Sequence, residues 1–171
     1  RGDAPCPRER LMSRVLIIGT LGQLGRALSA EFQPCHEVFE AVHRARHPGQ
    51  WHVDLSDPSS VRAAIEETRP EWMLIAGVLG NVDRAEVEPE RCLAVNVEGP
   101  RVVAECARAR GAAVVYYSTD TVFDGSNDGD VEDDPVAPLN AYARGKVQGE
   151  RLMRTLLPQQ SLVIRTAWLY G

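Results

Sequence analysis

The amino-acid sequence predicts a three-layer α/β/α fold, in which a doubly wound parallel sheet lies between helices. Two observations lead to this prediction. Short runs rich in β-branched residues alternate with longer segments of helical character, and such alternation gives right-handed crossovers and a parallel sheet. The strand runs are also nearly continuous in apolar residues, as expected when both faces of a sheet are covered.

Six strands and four helices follow from this alternation. The strands are expected at residues 15–18, 37–42, 51–54, 72–76, 112–118 and 161–168. The helices are expected at residues 22–32, 58–69, 89–110 and 140–157. Ser56 or Asp57 would cap the second helix ahead of Pro58. Gly111 would end the third helix in a left-handed conformation.

Length, composition and charge restrict the class of protein. The 171 residues suffice for one domain with a real core, and an apolar content of 44% is ordinary for a globular protein. The net charge of −5, without a run of Lys or Arg, argues against nucleic acid as a partner. No apolar stretch reaches the length of a membrane span. We therefore expect a cytoplasmic protein without nucleic-acid or membrane partners.

The beginning of the chain and the cysteines carry two further expectations. Residues 1–13 are polar and Pro-rich, which predicts a disordered leader ahead of a single domain at 14–171. No Cys-x-x-Cys pair occurs, so reduced thiols are expected, with disulfides as the alternative. The four cysteines are Cys6, Cys35, Cys92 and Cys106.

A glycine-rich turn, GTLGQLG, follows the first strand and contains Gly19, Gly22 and Gly25. Positions without Cβ permit a tight turn and let a pyrophosphate approach the backbone. The helix that opens with Gln23 and Leu24 would offer unpaired N–H groups and a positive dipole end. In a β-α-β context this turn predicts a dinucleotide cofactor in a Rossmann fold.

The end of the second strand bears on the choice between NADH and NADPH. NAD-binding proteins usually place an acid there to accept a hydrogen bond from the ribose 2′-OH. Here the strand ends at residues 42–44, where Arg44 offers a guanidinium for a 2′-phosphate and Arg46 follows closely. We therefore favour NADPH. The alternative is NADH, with Glu40 as the acid.

A Tyr-x-x-x-Lys pair, Tyr142 and Lys146, lies on the last predicted helix. The spacing places both side chains on one helix face. A nearby ammonium would lower the phenol pKa from its ordinary value of about 10 and make the tyrosine a general acid near neutral pH. Thr119 stands at the carboxyl end of the fifth strand, where open α/β sheets bind ligands. Its hydroxyl could donate to a substrate carbonyl.

Three strings in this region resemble the signature of the dTDP-4-dehydrorhamnose reductases, of the extended short-chain dehydrogenase/reductase superfamily. They are YYSTDTVFDG, PLNAYARGKVQGE and VIRTAWLYG. With GTLGQLG and NVDRAE, the resemblance covers nearly the whole chain from Arg14 onward. It implies NADPH-dependent reduction of the C4 keto group of dTDP-4-dehydro-6-deoxy-mannose to dTDP-rhamnose. The family continues past Gly171 into a substrate-binding lobe, which is absent here.

The resemblance also assigns roles by position. Tyr142 would give the proton to the C4 oxygen, Lys146 would lower the Tyr142 pKa and bind the nicotinamide ribose, and Thr119 would hydrogen-bond the carbonyl. Asp54 and Leu55 resemble the family's adenine-contacting pair. The cofactor wall would comprise Ala76, Gly77 and Val78. A nucleotide-sugar substrate, a homodimer and a magnesium ion are implied by the resemblance alone, because no set of residues has convincing metal-ligand spacing.

Two other functions remain open from the sequence. One is a non-catalytic NADP-binding subunit, since the methionine adenosyltransferase regulatory subunit resembles this family. The other is a related sugar-nucleotide epimerase or dehydratase, against which the strings STDTVFDG and RTAWLYG argue. Gly145 and Gly149 within the catalytic helix each cost about 1 kcal/mol relative to Ala. They indicate either close backbone packing or a weak helix.

Overall fold

The computed structural model describes residues 12–45 and 47–170. Its strands are β1 (Arg14–Ile18), β2 (Glu37–Val42), β3 (Gln50–His52), β4 (Trp72–Ile75), β5 (Ala113–Thr119) and β6 (Ser161–Thr166). They form one parallel sheet in the order β3-β2-β1-β4-β5-β6. The doubly wound α/β fold is thus confirmed. Residues 1–11 of the predicted leader and Arg46 lie outside the described residues.

Helices cover both faces of the sheet. They are α1 (Gln23–Phe32), α2 (Pro58–Thr68), α3 (Val82–Val87), α4 (Pro89–Leu93), α5 (Gly99–Arg110) and α6 (Ala141–Leu156). A 3-10 turn, Asp120–Val122, follows β5. The Asp57 carboxylate caps α2 by accepting a hydrogen bond from the Ser59 N–H at 2.9 Å. Gly111 ends α5 with φ +69°, as predicted.

The predicted single helix at 89–110 is wrong in detail, because a π-helical segment, Ala94–Glu98, separates α4 from α5. Pro100 has no N–H to give to the Asn96 carbonyl four residues earlier. That carbonyl instead accepts a hydrogen bond from the Tyr116 hydroxyl at 3.3 Å. The wider π turn therefore stands where the helical ladder loses a donor. Sequence analysis also missed α3, whose N-cap is Asn81.

Side chains alternate between the two faces of the central strands and build two apolar clusters. Leu16 and Ile18 point into the larger cluster, which also takes residues from α2, α5 and α6. Val15 and Ile17 point to the opposite face, where Leu28 and Phe32 of α1 pack. On this face α6 packs against β5, and its residue Glu150 contacts Ser118 near the carboxyl end of β5.

Two cysteines, Cys92 and Cys106, are free thiols. The expectation that all cysteines are reduced is wrong for Cys35, which is disulfide-bonded. Sequence spacing reports how far apart cysteines lie along the chain, whereas pairing depends on their separation in space. Among the described residues, no helix is long and apolar enough to cross a membrane.

Candidate active site

A cavity of about 350 Å³ opens at the carboxyl ends of β1, β2 and β4. This is the point where the strand order reverses, between β1 and β4, and open α/β sheets bind their ligands at such points. Seven of the predicted cofactor residues line the cavity: Gly19, Gly22, Asp54, Leu55, Ala76, Gly77 and Val78. The sequence-predicted cofactor wall is therefore brought together around one crevice.

The glycine turn holds β1 close to both α1 and the end of β4. Gly19 has φ +99°, and a Cβ there would lie 2.5 Å from the Gly77 nitrogen. A Cβ on Gly25 would lie 2.2 Å from the Gly19 carbonyl oxygen. Both approaches are shorter than any real Cβ contact, so only glycine allows this packing. The Gly25 site serves helix packing, and Gly25 does not line the cavity.

The amino end of α1 is open towards the cavity. Its N-cap, Gly22, makes no side-chain capping hydrogen bond, and the first N–H groups of a helix have no acceptor within it. A Cβ on Gly22 would meet nothing closer than the Gly19 oxygen at 3.3 Å. Gln23 and Leu24 begin the helix directly after Gly22. The uncapped turn therefore fits an anionic group such as a pyrophosphate.

The rim of the cavity beside β2 differs from the expectation in one residue. His43 lines the cavity, and its Nδ1 lies 3.3 Å from the Asp54 carboxylate. Burial raises the Asp54 pKa, but hydrogen bonds from Ser56 and the nearby His43 and His52 outweigh it and lower the pKa. Arg44 is exposed and does not line the cavity. His43 was missed, although its place directly after β2 is the signal that could have found it.

Glu40, the acid of the NADH alternative, points away from the crevice. Its Oε1 accepts a hydrogen bond from the Ser29 hydroxyl of α1 at 2.5 Å. Gln33 Nε2 lies 3.4 Å from the same oxygen. Strand alternation explains the direction, because Glu40 and Ala41 face opposite sides of the sheet. The Glu40 carboxylate is thus hydrogen-bonded to α1 and does not line the cavity.

Two of the three predicted catalytic residues, Thr119 and Tyr142, lie where β5 ends and α6 begins. Asn140 caps α6 by accepting a hydrogen bond from the Ala143 N–H at 2.8 Å, which fixes the first turn and Tyr142 with it. The Thr119 side chain lies close enough to Tyr142 to lower the pKa of its phenol. The Thr119 hydroxyl also lies 3.0 Å from the Thr121 hydroxyl. Two hydroxyl groups, from Thr119 and Tyr142, are therefore held together at one strand end.

The expected lowering of the Tyr142 pKa is wrong. Burial raises the pKa, the neighbouring Thr119 side chain lowers it, and the charge of Asp120 raises it further. The Lys146 side chain lies elsewhere, with Nζ 4.0 Å from the centre of the Tyr116 ring. Helical spacing places two residues on one face but does not decide which way a long side chain bends. Tyr142 is therefore a neutral phenol at pH 7, able to donate a proton.

Lys146 is 3% exposed. Burial lowers its pKa from 10.5 to about 7, against the opposing effects of Glu150 and Cys92. The ring face of Tyr116 provides a favourable contact for the ammonium. Lys146 can therefore gain and lose a proton near neutral pH.

The glycines of α6 reflect close packing. A Cβ on Gly149 would lie 2.1 Å from the Tyr116 hydroxyl, and one on Gly145 would lie 3.4 Å from the Asn96 Cβ. Asn96 is 1% exposed, and its side-chain amide exchanges two hydrogen bonds with the backbone of Leu79, at 2.9 and 3.3 Å. Leu79 lines the cavity. The π segment thereby links α6 to the cofactor crevice.

A second cavity, of about 470 Å³, lies beside the 3-10 turn that follows β5 and the N-cap of α6. Its lining includes Asp120, Thr121, Phe123 and Asn140 together with part of the acidic loop. Within the described residues, no group of three or more His, Cys, Asp or Glu side chains could hold a metal ion.

Comparison with known proteins identifies the family. A family model described as the RmlD substrate binding domain matches residues 12–171. The dTDP-4-dehydrorhamnose reductase of Streptomyces griseus is 38% identical over 98% of this chain and 52% of its own length. A probable dTDP-4,6-dihydroxy-2-methyloxan-3-one 4-ketoreductase of Streptomyces antibioticus is 40% identical over 92% of this chain and 52% of its own.

Solved structures agree. A dTDP-4-dehydrorhamnose reductase from Bacillus anthracis in complex with NADP superposes with a TM-score of 0.85 at 32% identity, over 95% of this chain and 56% of that one. A Thermus thermophilus UDP-glucose 4-epimerase in complex with NAD, at 23% identity and TM-score 0.78, shows the fold alone. It aligns with 89% of this chain and 54% of that one. This chain spans about half the length of the curated relatives that it matches. The chain belongs to the dTDP-4-dehydrorhamnose reductase family.

Proposed function

We propose that this chain is the cofactor-binding and proton-donating half of an NADPH-dependent reductase of nucleotide sugars. The reaction would convert the C4 keto group of dTDP-4-dehydro-6-deoxy-mannose into the hydroxyl of dTDP-rhamnose. The observation that carries the proposal is the proximity of the Thr119 and Tyr142 side chains at the carboxyl end of β5. The names of the relatives, which are reductases of dTDP sugars, support the substrate class.

The crevice fits a dinucleotide. Gly19, Gly22 and the first-turn amides of Gln23 and Leu24 would hold the pyrophosphate, with Gly25 keeping α1 in place. Asp54 and Leu55 would contact the adenine, and Ala76, Gly77 and Val78 would form the wall beside the nicotinamide. When bound, NADPH supplies the hydride. The protein's contribution is orientation and the proton.

Thr119 and Tyr142 would act on the carbonyl oxygen. The Thr119 hydroxyl would donate a hydrogen bond that polarises the carbonyl, and the neutral Tyr142 phenol would transfer its proton to that oxygen. The raised Tyr142 pKa keeps the phenol protonated until the substrate gains charge. Lys146, which exchanges its proton near neutral pH, would stabilise the resulting phenolate and contact the nicotinamide ribose.

NADPH is favoured over NADH. The NADP complex of the Bacillus anthracis relative supports it, as does the engagement of Glu40 with Ser29. His43 and Arg44, which follow β2 directly, are the cations available for a 2′-phosphate. The non-catalytic subunit and the epimerase are less favoured, because the similar proteins at 32–40% identity are named reductases. The homodimer, the cytoplasmic location and the magnesium ion stay predictions.

The test is consumption of NADPH, followed by nicotinamide absorbance, on adding dTDP-4-dehydro-6-deoxy-mannose. Formation of dTDP-rhamnose in equal amount, identified by chromatography, is the expected result. A reaction without the sugar measures background oxidation. Cofactor binding without any turnover would restrict the chain to a binding role and contradict the catalytic part of the proposal.

A further inference from the structure

The ammonium group of Lys146 is buried without an acidic partner. Lys146 lies on α6 and is 3% exposed. Among the described residues, no hydrogen bond or ion pair engages its Nζ. Glu150, one helical turn further along, directs its carboxylate to Ser118 and Arg165 instead. A buried charge is costly unless other groups compensate it, so the ammonium depends on a contact of another kind.

That contact is the ring of Tyr116 on β5. Nζ of Lys146 lies 4.0 Å from the ring centre, well inside the range of about 6 Å over which an aromatic face attracts a cation. Tyr116 is fully buried, and removal of water strengthens this attraction. Burial also raises the Tyr116 pKa, so the ring belongs to a neutral phenol. The ring face therefore attracts the ammonium but supplies no lone-pair acceptor for its N–H donors.

Neighbouring elements hold the Tyr116 ring in place. Its hydroxyl donates a hydrogen bond to the Asn96 carbonyl at 3.3 Å. The backbone of α6 lies so close that a Cβ on Gly149 would be 2.1 Å from the same hydroxyl. The Lys146 side chain, by contrast, is a flexible four-carbon stem. If the contact between the two side chains is broken, Lys146 is therefore the partner that moves.

The contact joins the strand and the helix that carry the reacting hydroxyl groups. Tyr116 is three residues before Thr119 on β5, and Lys146 is one helical turn after Tyr142 on α6. In the role proposed above, Lys146 contacts the nicotinamide ribose, whose hydroxyl oxygens accept hydrogen bonds. The cofactor thus offers the ammonium the acceptors that the Tyr116 ring lacks. Cofactor binding should therefore draw the Lys146 side chain away from Tyr116.

We propose that Tyr116 is a positioning residue of the cofactor site, whose ring face holds the Lys146 ammonium in a resting position from which a bound dinucleotide withdraws it. The withdrawal rests on the proposed function, whereas the resting contact does not. A merely structural Tyr116 would fill the core and leave the surroundings of the Lys146 ammonium unaffected. The two interpretations therefore differ in the environment of the methylene group next to Nζ.

The chain offers a clean probe of this contact, because Lys146 is its only lysine. Protein grown with isotope-labelled lysine gives one Cε methylene NMR signal, and protons above an aromatic ring resonate upfield of their ordinary position. Spectra are recorded below pH 7, where the ammonium is present because the Lys146 pKa is about 7. The wild type should show an upfield signal and a nuclear Overhauser effect between these protons and the Tyr116 ring.

Three variants assign the shift to one ring. Tyr116→Phe keeps the ring and should keep the upfield signal, whereas Tyr116→Leu removes the ring and should return the signal to its ordinary position. Tyr117→Leu makes the same change on the opposite face of β5 and is the matched control, which should keep the shift. A wild-type signal at the ordinary position would overturn the proposal, and so would a shift that survives in Tyr116→Leu.

If Tyr116→Leu does not fold, the nuclear Overhauser effect in the wild type and in Tyr116→Phe decides. Its presence in both supports the proposal, and its absence from either overturns it.

The withdrawal is tested by adding NADPH to saturation, with binding followed by nicotinamide fluorescence. The Lys146 signal should then move to its ordinary position. A signal that stays upfield in the saturated protein would overturn the withdrawal. Absence of NADPH binding would contradict the proposed function, and the spectra of the free protein would still decide the resting contact with Tyr116.

Discussion

The cofactor crevice and the α6 end of the sheet are built in opposite ways. The crevice depends on glycines, because a Cβ on Gly19 or Gly25 would collide with backbone atoms. The α6 end is shaped by buried polar side chains: Ser118, Thr119, Lys146 and Glu150 are each 7% exposed or less. The first region therefore depends on close backbone approach, and the second on electrostatic balance. Substitutions in the two regions should therefore affect stability, cofactor binding and turnover differently.

The largest effect is expected for Tyr142→Phe. Removing the phenolic proton should lower turnover by about 100-fold or more, the usual contribution of a general acid, while the NADPH dissociation constant changes little. Tyr117→Phe on β5 is the matched control and should retain turnover. Steady-state rates and nicotinamide fluorescence measure the two quantities. Unchanged turnover in Tyr142→Phe would remove this residue from the acid role.

Next is Gly25→Ala, which places a Cβ 2.2 Å from the Gly19 oxygen. Backbone must move, so we expect a loss of about 1–3 kcal/mol in the free energy of unfolding together with loss of NADPH binding. Gly22→Ala in the same turn meets only a 3.3 Å contact and should weaken binding with little loss of stability. Denaturant unfolding and cofactor titration separate these effects. Equal stability losses would contradict the assigned difference between the two glycines.

Two glycine-to-alanine substitutions on α6 should have different effects on the stability of the protein. Gly149→Ala forces a Cβ to 2.1 Å from the Tyr116 hydroxyl and should destabilise by about 1–3 kcal/mol. Gly145→Ala meets the Asn96 Cβ at 3.4 Å, and Ala favours helix by up to about 1 kcal/mol. It should be neutral or stabilising. The melting temperatures of the two variants test this difference. Equal destabilisation by both would indicate a generally weak helix.

A further prediction concerns the dependence of stability on pH. The Lys146 pKa falls from 10.5 in the unfolded chain to about 7 in the folded one, so the unfolded state binds more protons between these values. The free energy of unfolding contributed by Lys146 therefore rises with pH from 7 towards 10. Lys146→Met should flatten this slope and stabilise the protein at pH 7. The free energy of unfolding is measured by urea unfolding across this pH range. If it changes with pH equally in wild type and variant, the group that titrates is not Lys146.

The two regions also differ in how far sequence predicts them. The β2 bounds, the parallel doubly wound sheet and the crevice glycines were predicted, because backbone requirements restrict residue type and spacing. The π segment was not, since the loss of a helical donor at Pro100 matters only with Tyr116 nearby. The predicted direction of the Tyr142 pKa shift was also wrong. This shift depends on how deeply Tyr142 is buried and on the bend of the Lys146 side chain towards Tyr116, which are properties of the folded chain.

At the rim of the crevice, the sequence did not predict which side chain faces the cavity. Strand periodicity placed the end of β2 correctly, yet His43 lines the cavity and Arg44 does not. Glu150 was passed over because a Glu on a helix usually lies in water. Its partners, Ser118 and Arg165, are 32 and 15 residues away along the chain.

A paired titration of this chain with NADPH and NADH, followed by nicotinamide fluorescence, tests whether the crevice is an NADPH site. We expect saturable binding of both cofactors or of NADPH alone, with NADPH the tighter ligand. Tighter binding of NADH would contradict the assigned preference, and binding of neither would contradict the claim that these residues form a competent cofactor site.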